Sequence, residues 1–137
     1  MNIVCLAKED IVKFHTKAIS VFGGSIGYYI DTEGKIESIL SQQFGCFGHD
    51  EYPSVFDKAA MLLYYLVKGH CFVDGNKRVG YYAMVAMLRI NGYKEYFDSD
   101  FGYKLTIDVA TSHYRRNEVK VFIKSIAEIL RQKCKLV

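Results

Sequence analysis

The stretch His70-Cys71-Phe72-Val73-Asp74-Gly75-Asn76-Lys77-Arg78 lies between the two most apolar segments of the chain. Ahead of it, Ala59 to Val67 is an unbroken apolar run, and behind it Val79 to Ile90 is apolar apart from Gly80 and Arg89. Both runs read as helices that are apolar nearly all round, the pattern of helices buried in a core. A polar, charged connector between two buried helices costs stability unless it serves a purpose. Gly75-Asn76 reads as a turn, so the second helix starts near Asn76 and carries Lys77 and Arg78 in its first turn. A helix N-terminus has partial positive charge and disfavours each cation there by about 0.3–1 kcal/mol. Two such violations in a row point to a functional site. An anion held by the N–H groups from Gly75 onward, with Asn76, Lys77 and Arg78 around it, accounts for them.

Lysine supplies a point charge and arginine a planar fork for phosphate oxygens; the plain alternative is a solvated basic helix start. His70 is the candidate general base, because an imidazole titrating near neutrality suits proton abstraction. Its alternative is a histidine that only caps the preceding helix. Asp74 is a hard carboxylate next to phosphate-binding groups and so a natural magnesium ligand; it could equally be the N-cap of the following helix. Phe72 reads as a core anchor without chemistry. The stretch is not a Walker A loop, since Lys77 does not directly follow Gly75. His15, His49 and His113 show no metal-ligand spacing, and His49-Asp50-Glu51 reads as a solvated loop.

The nine residues match every defined position of the signature His-x-Phe-x-(Asp/Asn)-(Ala/Gly)-Asn-Lys-Arg, and in this the chain resembles the Doc-type branch of the Fic/Doc superfamily. Phe22-Gly23-Gly24, Asp31 to Ser38, Phe56 to Lys68 and Leu88 to Tyr93 extend the resemblance over roughly residues 9–95. The resemblance implies an all-α Fic/Doc-like bundle of about six helices, a single domain over residues 1–137, with the anion-binding loop at its centre between two buried helices. It implies a toxin of a toxin–antitoxin pair, a protein kinase using ATP and Mg2+. It assigns His70, Asp74, Lys77 and Arg78 to catalysis, Gly75, Asn76, Lys77 and Arg78 to the nucleotide, and Asp74 to the metal. The implied substrate is a translation factor resembling elongation factor Tu, and the further implied partner is an antitoxin protein, because the chain has no Ser/Thr-x-x-x-Glu-Gly/Asn inhibitory motif of its own.

Three departures from the family pattern stand out. Cys71 replaces a common proline, and Val79-Gly80 replaces the usual Thr-Ala. The AMP-transferring pattern Gly-Asn-Gly-Arg-x-x-Arg has lost its second glycine to Lys77 and its last arginine to Tyr81. Transfer of AMP to a protein hydroxyl is the competing enzymatic reading. A nucleotide- or nucleic-acid-binding module without turnover is the non-enzymatic one, although a net charge of only +3 does not call for a nucleic-acid partner.

Half of the 137 residues are hydrophobic and 24% are charged, which describes a globular chain. The four cysteines form no CxxC pair and read as free thiols in a reducing compartment. No apolar run approaches the ~20 residues of a membrane span, and Lys8-Glu9-Asp10 comes too early for a secretory signal. A cytoplasmic protein without a membrane partner is the expectation.

Along the chain, a first helix opens at Glu9-Asp10, carries Ile11, Phe14, Ala18 and Ile19 on one face, and ends at Phe22-Gly23-Gly24. Ser25 to Gly34 reads as a loop and Lys35 to Gln42 as a short helix. Phe44 to Tyr52 reads as a loop; the resemblance adds that a flap here pairs with the segment to be modified. Pro53 fits the first turn of the helix that delivers His70. The helix from Asn76 stops at Asn91-Gly92, a strand turn is expected at Lys94 to Phe97, and a further helix at Asp100 to His113. Asn117 is the expected cap of a last helix that buries Val119, Phe122, Ile123, Ile126 and Leu130.

Overall fold

The computed structural model describes residues 2–137; Met1, which the sequence reading includes, lies outside them. Six helices follow one another: α1 Lys8–Phe22, α2 Thr32–Ser41, α3 Val55–Lys68, α4 Asn76–Ile90, α5 Ser99–Ala110 and α6 Arg116–Lys133. Two three-residue strands, β1 Tyr93–Glu95 and β2 Cys134–Leu136, form an antiparallel ribbon with Lys94 opposite Lys135. The fold is all-α apart from this ribbon, as expected.

Helix α3 is the axis of the bundle. All of its residues except Tyr65 and Lys68 are buried, and it packs against α2, α4, α5 and α6. Helix α4 packs on α3 along Gly80, where a β-carbon would sit 2.6 Å from Val67 Cγ2. The departure from Thr-Ala to Val79-Gly80 therefore lets these two backbones approach closely. Helix α6 lays Ile123, Ile126, Ala127 and Leu130 into the core, against α3. Ile123, Ile126 and Leu130 each contribute about 1.5–3 kcal/mol by burial.

Several element boundaries differ from the sequence reading, for local reasons. Helix α2 begins at Thr32 rather than Lys35, with Asp31 before it. Pro53 lies outside α3, whose start is fixed instead by a capping box: the Asp57 N–H donates to Ser54 Oγ (3.0 Å) and the Ser54 N–H to Asp57 Oδ2 (3.1 Å). Helix α5 starts at Ser99, where the Asp98 side chain accepts from the Phe101 N–H (2.9 Å). It ends at Ala110 rather than His113, and Lys68 Nζ donates to the carbonyls of Ala110 and Ser112 (3.4 and 2.6 Å). Asn117 is inside α6; Glu118 accepts from the Arg115 N–H instead (3.0 Å).

The strand after α4 is Tyr93–Glu95, and its partner at the end of the chain was not foreseen. Val4 and Val137 both moor near the C-terminus of α4. Asn91 bonds both main-chain groups of Val4 (2.8 and 2.9 Å), and the Val137 N–H donates to the Gly92 carbonyl (2.9 Å). Among the described residues no helix is long and apolar enough to cross a membrane.

Candidate functional site

Helix α3 ends at Gly69, and His70 then takes a left-handed backbone conformation, φ 47°. A non-glycine residue there is held by its surroundings rather than by preference. Three contacts do the holding. The His70 carbonyl accepts from Lys35 Nζ (3.4 Å), the Cys71 carbonyl accepts a short hydrogen bond from the Thr32 hydroxyl, and the Val73 N–H donates to Gly27 (3.1 Å). The His70 side chain is exposed, and no hydrogen bond from the described residues engages its ring, so the helix-cap alternative falls away. Cys71 is buried, and burial pushes its thiol up to about 11. The replaced proline has thus left an inert core thiol and a loop that is tied down by other means.

Phe72 is fully buried, as expected of an anchor. Its ring stacks on His15 of α1, with centroids 3.8 Å apart and planes 5° from parallel, and meets Tyr28 edge-on at 5.2 Å. The Asn76 side chain closes the turn by accepting from the Phe72 N–H (3.0 Å) and donating to the Phe72 carbonyl (2.8 Å). That amide is therefore engaged within the loop, and the sequence expectation of a phosphate contact rests on the Asn76 main chain.

Asp74 is exposed and does not cap α4. Its Oδ2 accepts from the Ser25 N–H (2.7 Å), leaving Oδ1 to bond elsewhere, and its carbonyl lies 3.1 Å from His15 Nε2. Burial lowers the His15 pKa, partly offset by the hydrogen bond to Asp74 and its charge. Gly75 is the N-cap, left-handed at φ 84°, and α1 leaves little room beside it: a β-carbon would be 3.3 Å from Ile19 Cδ1. The first backbone bond into α4 runs from the Val79 N–H to the Gly75 carbonyl (3.0 Å). The N–H groups of Asn76, Lys77 and Arg78 precede it and have no acceptor within the helix. No side chain caps this end and no acid lies in its first turn, whereas the other five helices each carry one. Lys77 and Arg78 are exposed, and the Arg78 guanidinium stacks 3.3 Å from the Phe22 ring centroid at the end of α1.

His70, Asp74, Gly75, Asn76, Lys77 and Arg78 all line one cleft of about 1030 Å³, whose other walls come from the ends of α1 and α3 and from α4 and α5. Tyr81 stands in that cleft, packed so tightly on α5 that a β-carbon at Gly102 would clash with its ring. Among the described residues no group of three or more His, Cys, Asp and Glu could cage a metal. A single loop carboxylate beside a phosphate cradle does suit magnesium, which is held by one or two carboxylates together with phosphate oxygens.

The segment from Phe44 to Tyr52 is a small hairpin rather than an irregular loop. Cys46 and His49 exchange two backbone bonds (2.7 and 3.0 Å) around Phe47 and Gly48, both at positive φ as a two-residue hairpin turn requires. Phe47 at the tip is wholly exposed. Its two feet are fixed. Buried Gln43 bonds both main-chain groups of Leu6 (2.9 and 3.0 Å), and buried Lys58 donates to Asp50 (2.8 Å) and to the Tyr52 carbonyl (2.5 Å). His49 Nε2 lies 3.2 Å from Glu51 Oε1, Glu51 pairs with Lys120 and Asp50 with Lys58, so the His-Asp-Glu run is engaged within the protein.

Sequence reasoning found the residues contiguous in the loop and missed those reaching it from α1 and α2. His15 was the one with a signal: it lies four residues after Ile11 and three before Ala18, on the buried face of α1.

The model of the "Fic/DOC family" matches residues 5–88. The chain is 36% identical over 109 residues to "Toxin Doc" of Mycolicibacterium smegmatis (strain ATCC 700084 / mc(2)155), an alignment covering 77% of this chain and 80% of the relative. It is 28% identical over 127 residues to "Protein kinase doc" of Escherichia phage P1, covering 93% of each.

Proposed function

We propose that this chain, which belongs to the Fic/DOC family, is a Doc-type toxin that transfers the γ-phosphoryl group of ATP to a hydroxyl of a target protein. The observation that carries the reading is the uncapped N-terminus of α4, where three N–H groups, Lys77 and Arg78 gather in one cleft with His70 and Asp74. Phosphoryl transfer needs positioning and charge neutralisation more than covalent help, and these residues offer both. His70 would take the proton of the attacking hydroxyl. As the hydroxyl oxygen bonds to the γ-phosphorus, the bond to the β–γ bridging oxygen breaks and ADP leaves. The first-turn N–H groups, Lys77 and Arg78 would hold the phosphates, with Arg78 kept in place by Phe22. Asp74 would hold Mg2+, which when bound neutralises charge on the phosphate oxygens.

Two features favour phosphate over AMP transfer. A lysine side chain fills the position where the AMP-transferring pattern has glycine. At Tyr81 an aromatic ring wedged on α5 stands where that pattern has its outer-phosphate arginine. The name of the phage relative points to the same chemistry. The proposed target is a translation factor resembling elongation factor Tu, and the proposed inhibitor is an antitoxin protein that covers the cleft. Incubation of a lysate with γ-labelled and α-labelled ATP tests the reading. Label from the γ-phosphate alone, with a phosphate mass added to one protein, is the expected result. An added AMP mass makes the chain an AMP transferase, and tight ATP binding without any labelled protein makes it a binding module.

A further inference from the structure

We infer that His15 is a positioning residue of this site, its Nε2–H holding the main-chain carbonyl of Asp74 so that the proposed metal-binding carboxylate and the Gly75 peptide leading into the phosphate cradle are both fixed from α1. The inference rests on the phosphoryl-transfer reading above.

A carbonyl oxygen only accepts, so at 3.1 Å the proton between it and His15 belongs to Nε2. Nδ1 then carries a lone pair, and it is buried without a hydrogen-bond partner. Protonating that nitrogen would strand a donor in the core, which leaves the neutral Nε2–H tautomer as the form the site accommodates. The stack on Phe72 prevents the ring from turning, with planes only 5° apart at 3.8 Å. One bond therefore comes from a ring fixed in tautomer, in plane and in place.

Its leverage comes from peptide geometry. The peptide joining Asp74 to Gly75 is planar and trans. With its carbonyl turned toward His15, its N–H, that of Gly75, must point the opposite way. The same bond sets where the Asp74 side chain departs, and the Ser25 N–H then steadies the carboxylate at Oδ2. A phenyl ring at position 15 would also stack on Phe72 and would leave no orphan nitrogen. Only the imidazole adds a donor for Asp74, so the unpartnered Nδ1 is explained by what Nε2 does.

The test compares wild type, His15→Phe and His15→Gln. Phenylalanine keeps a ring for the stack and removes the donor; glutamine restores an amide N–H near the place of Nε2 without the ring. The readouts are melting temperature, Mg2+-dependent ATP binding by calorimetry, and kcat and KM for phosphate transfer. We expect His15→Phe to melt near wild type yet to need about 10–100-fold more Mg2+ for ATP binding, the usual loss when a partner of a metal ligand is removed, with kcat reduced and KM for the target protein unchanged. His15→Gln should regain much of the Mg2+ affinity. A folded His15→Phe with the wild-type Mg2+ requirement overturns the inference. Wild type that binds no Mg2+–ATP overturns the functional reading and this inference with it. Should His15→Phe not fold, nitrogen-15 spectra of the wild-type imidazole decide: a neutral ring protonated at Nε2 supports the inference, and one protonated at Nδ1 refutes it.

Discussion

The loop at 70–78 and the hairpin at 44–52 both use positive-φ residues, and they are held in opposite ways. The loop is bonded along its length: Lys35, Thr32, Gly27, Ser25 and His15 reach it from outside, and Asn76 closes it from within. The hairpin is fixed toward its feet, by Gln43, Lys58 and the Glu51–Lys120 pair, and presents Phe47 to solvent. Chemistry on a phosphate demands groups that do not move while charge develops, whereas recognition of a partner tolerates a tip that adapts. In the proposed reading transfer belongs to the loop and target contact to the hairpin, and each half can be disturbed without the other.

The largest expected effect belongs to His70→Ala. Phosphate transfer should fall by about 10²–10⁴-fold, the usual worth of a general base, with melting temperature and Mg2+–ATP binding unchanged. Transfer at the wild-type rate by the folded variant would remove His70 from the chemistry.

Loss of the loop's own bracing comes next. Asn76→Ala strands both main-chain groups of Phe72 in a buried setting, and each costs about 1–3 kcal/mol. Gly75→Ala places a β-carbon in the left-handed region at about 1–2 kcal/mol. Thermal unfolding should register both, and both should weaken ATP binding. Retained binding with lowered stability would mean that the bracing serves the fold alone.

On the hairpin side, Lys58→Met leaves Asp50 and the Tyr52 carbonyl without their donor, a loss of about 1–3 kcal/mol. Target modification should drop while ATP binding persists. Burial pushes the Asp50 carboxyl up, but Lys58 and the Tyr52 N–H outweigh it and hold it below the usual aspartate value. The stability from this pair is therefore present above the ordinary aspartate range and lost as pH falls through the depressed pKa. Thermal melts of wild type and Lys58→Met across the acid pH range check the sign.

Smaller still, Phe47→Ala should leave stability within about 0.5 kcal/mol, as expected of an exposed site, and raise only the KM for the target protein. An equal loss with ATP alone would break the division of labour. The subtlest contrast is chemical. Cys46 in the hairpin is exposed, whereas Cys71 in the loop is buried with a thiol raised from 9.0 to about 11, roughly 100-fold less thiolate at any pH below that range. Thiol reagents followed by peptide mapping should label Cys46 first.

What could be read from the sequence was what neighbours along the chain decide. The apolar runs of α3 and α4, the turn at Gly75 and the cations after it are local patterns, and they gave the fold class and the contiguous part of the site. The box at Ser54 and Asp57 was equally local, and Pro53 drew the helix start away from it. The contacts of His15 and Ser25 with Asp74, of Thr32 with Cys71 and of Phe22 with Arg78 span dozens of residues. Periodicity says that a residue faces inward but not what it meets there. Strand β2 escaped notice because three residues carry no pattern of their own; β1 gives them their conformation.

Val4 bonds to Asn91 and Val137 to Gly92, at the far end of a 15-residue helix, about 22 Å along its axis from the cradle at Gly75. Residues 4 and 137 are thus neighbours on the side away from the cleft. Fluorophores placed at positions 4 and 137 would form a close donor–acceptor pair that separates when the frame opens, and either position could be tethered to a surface with the cleft left facing the solution.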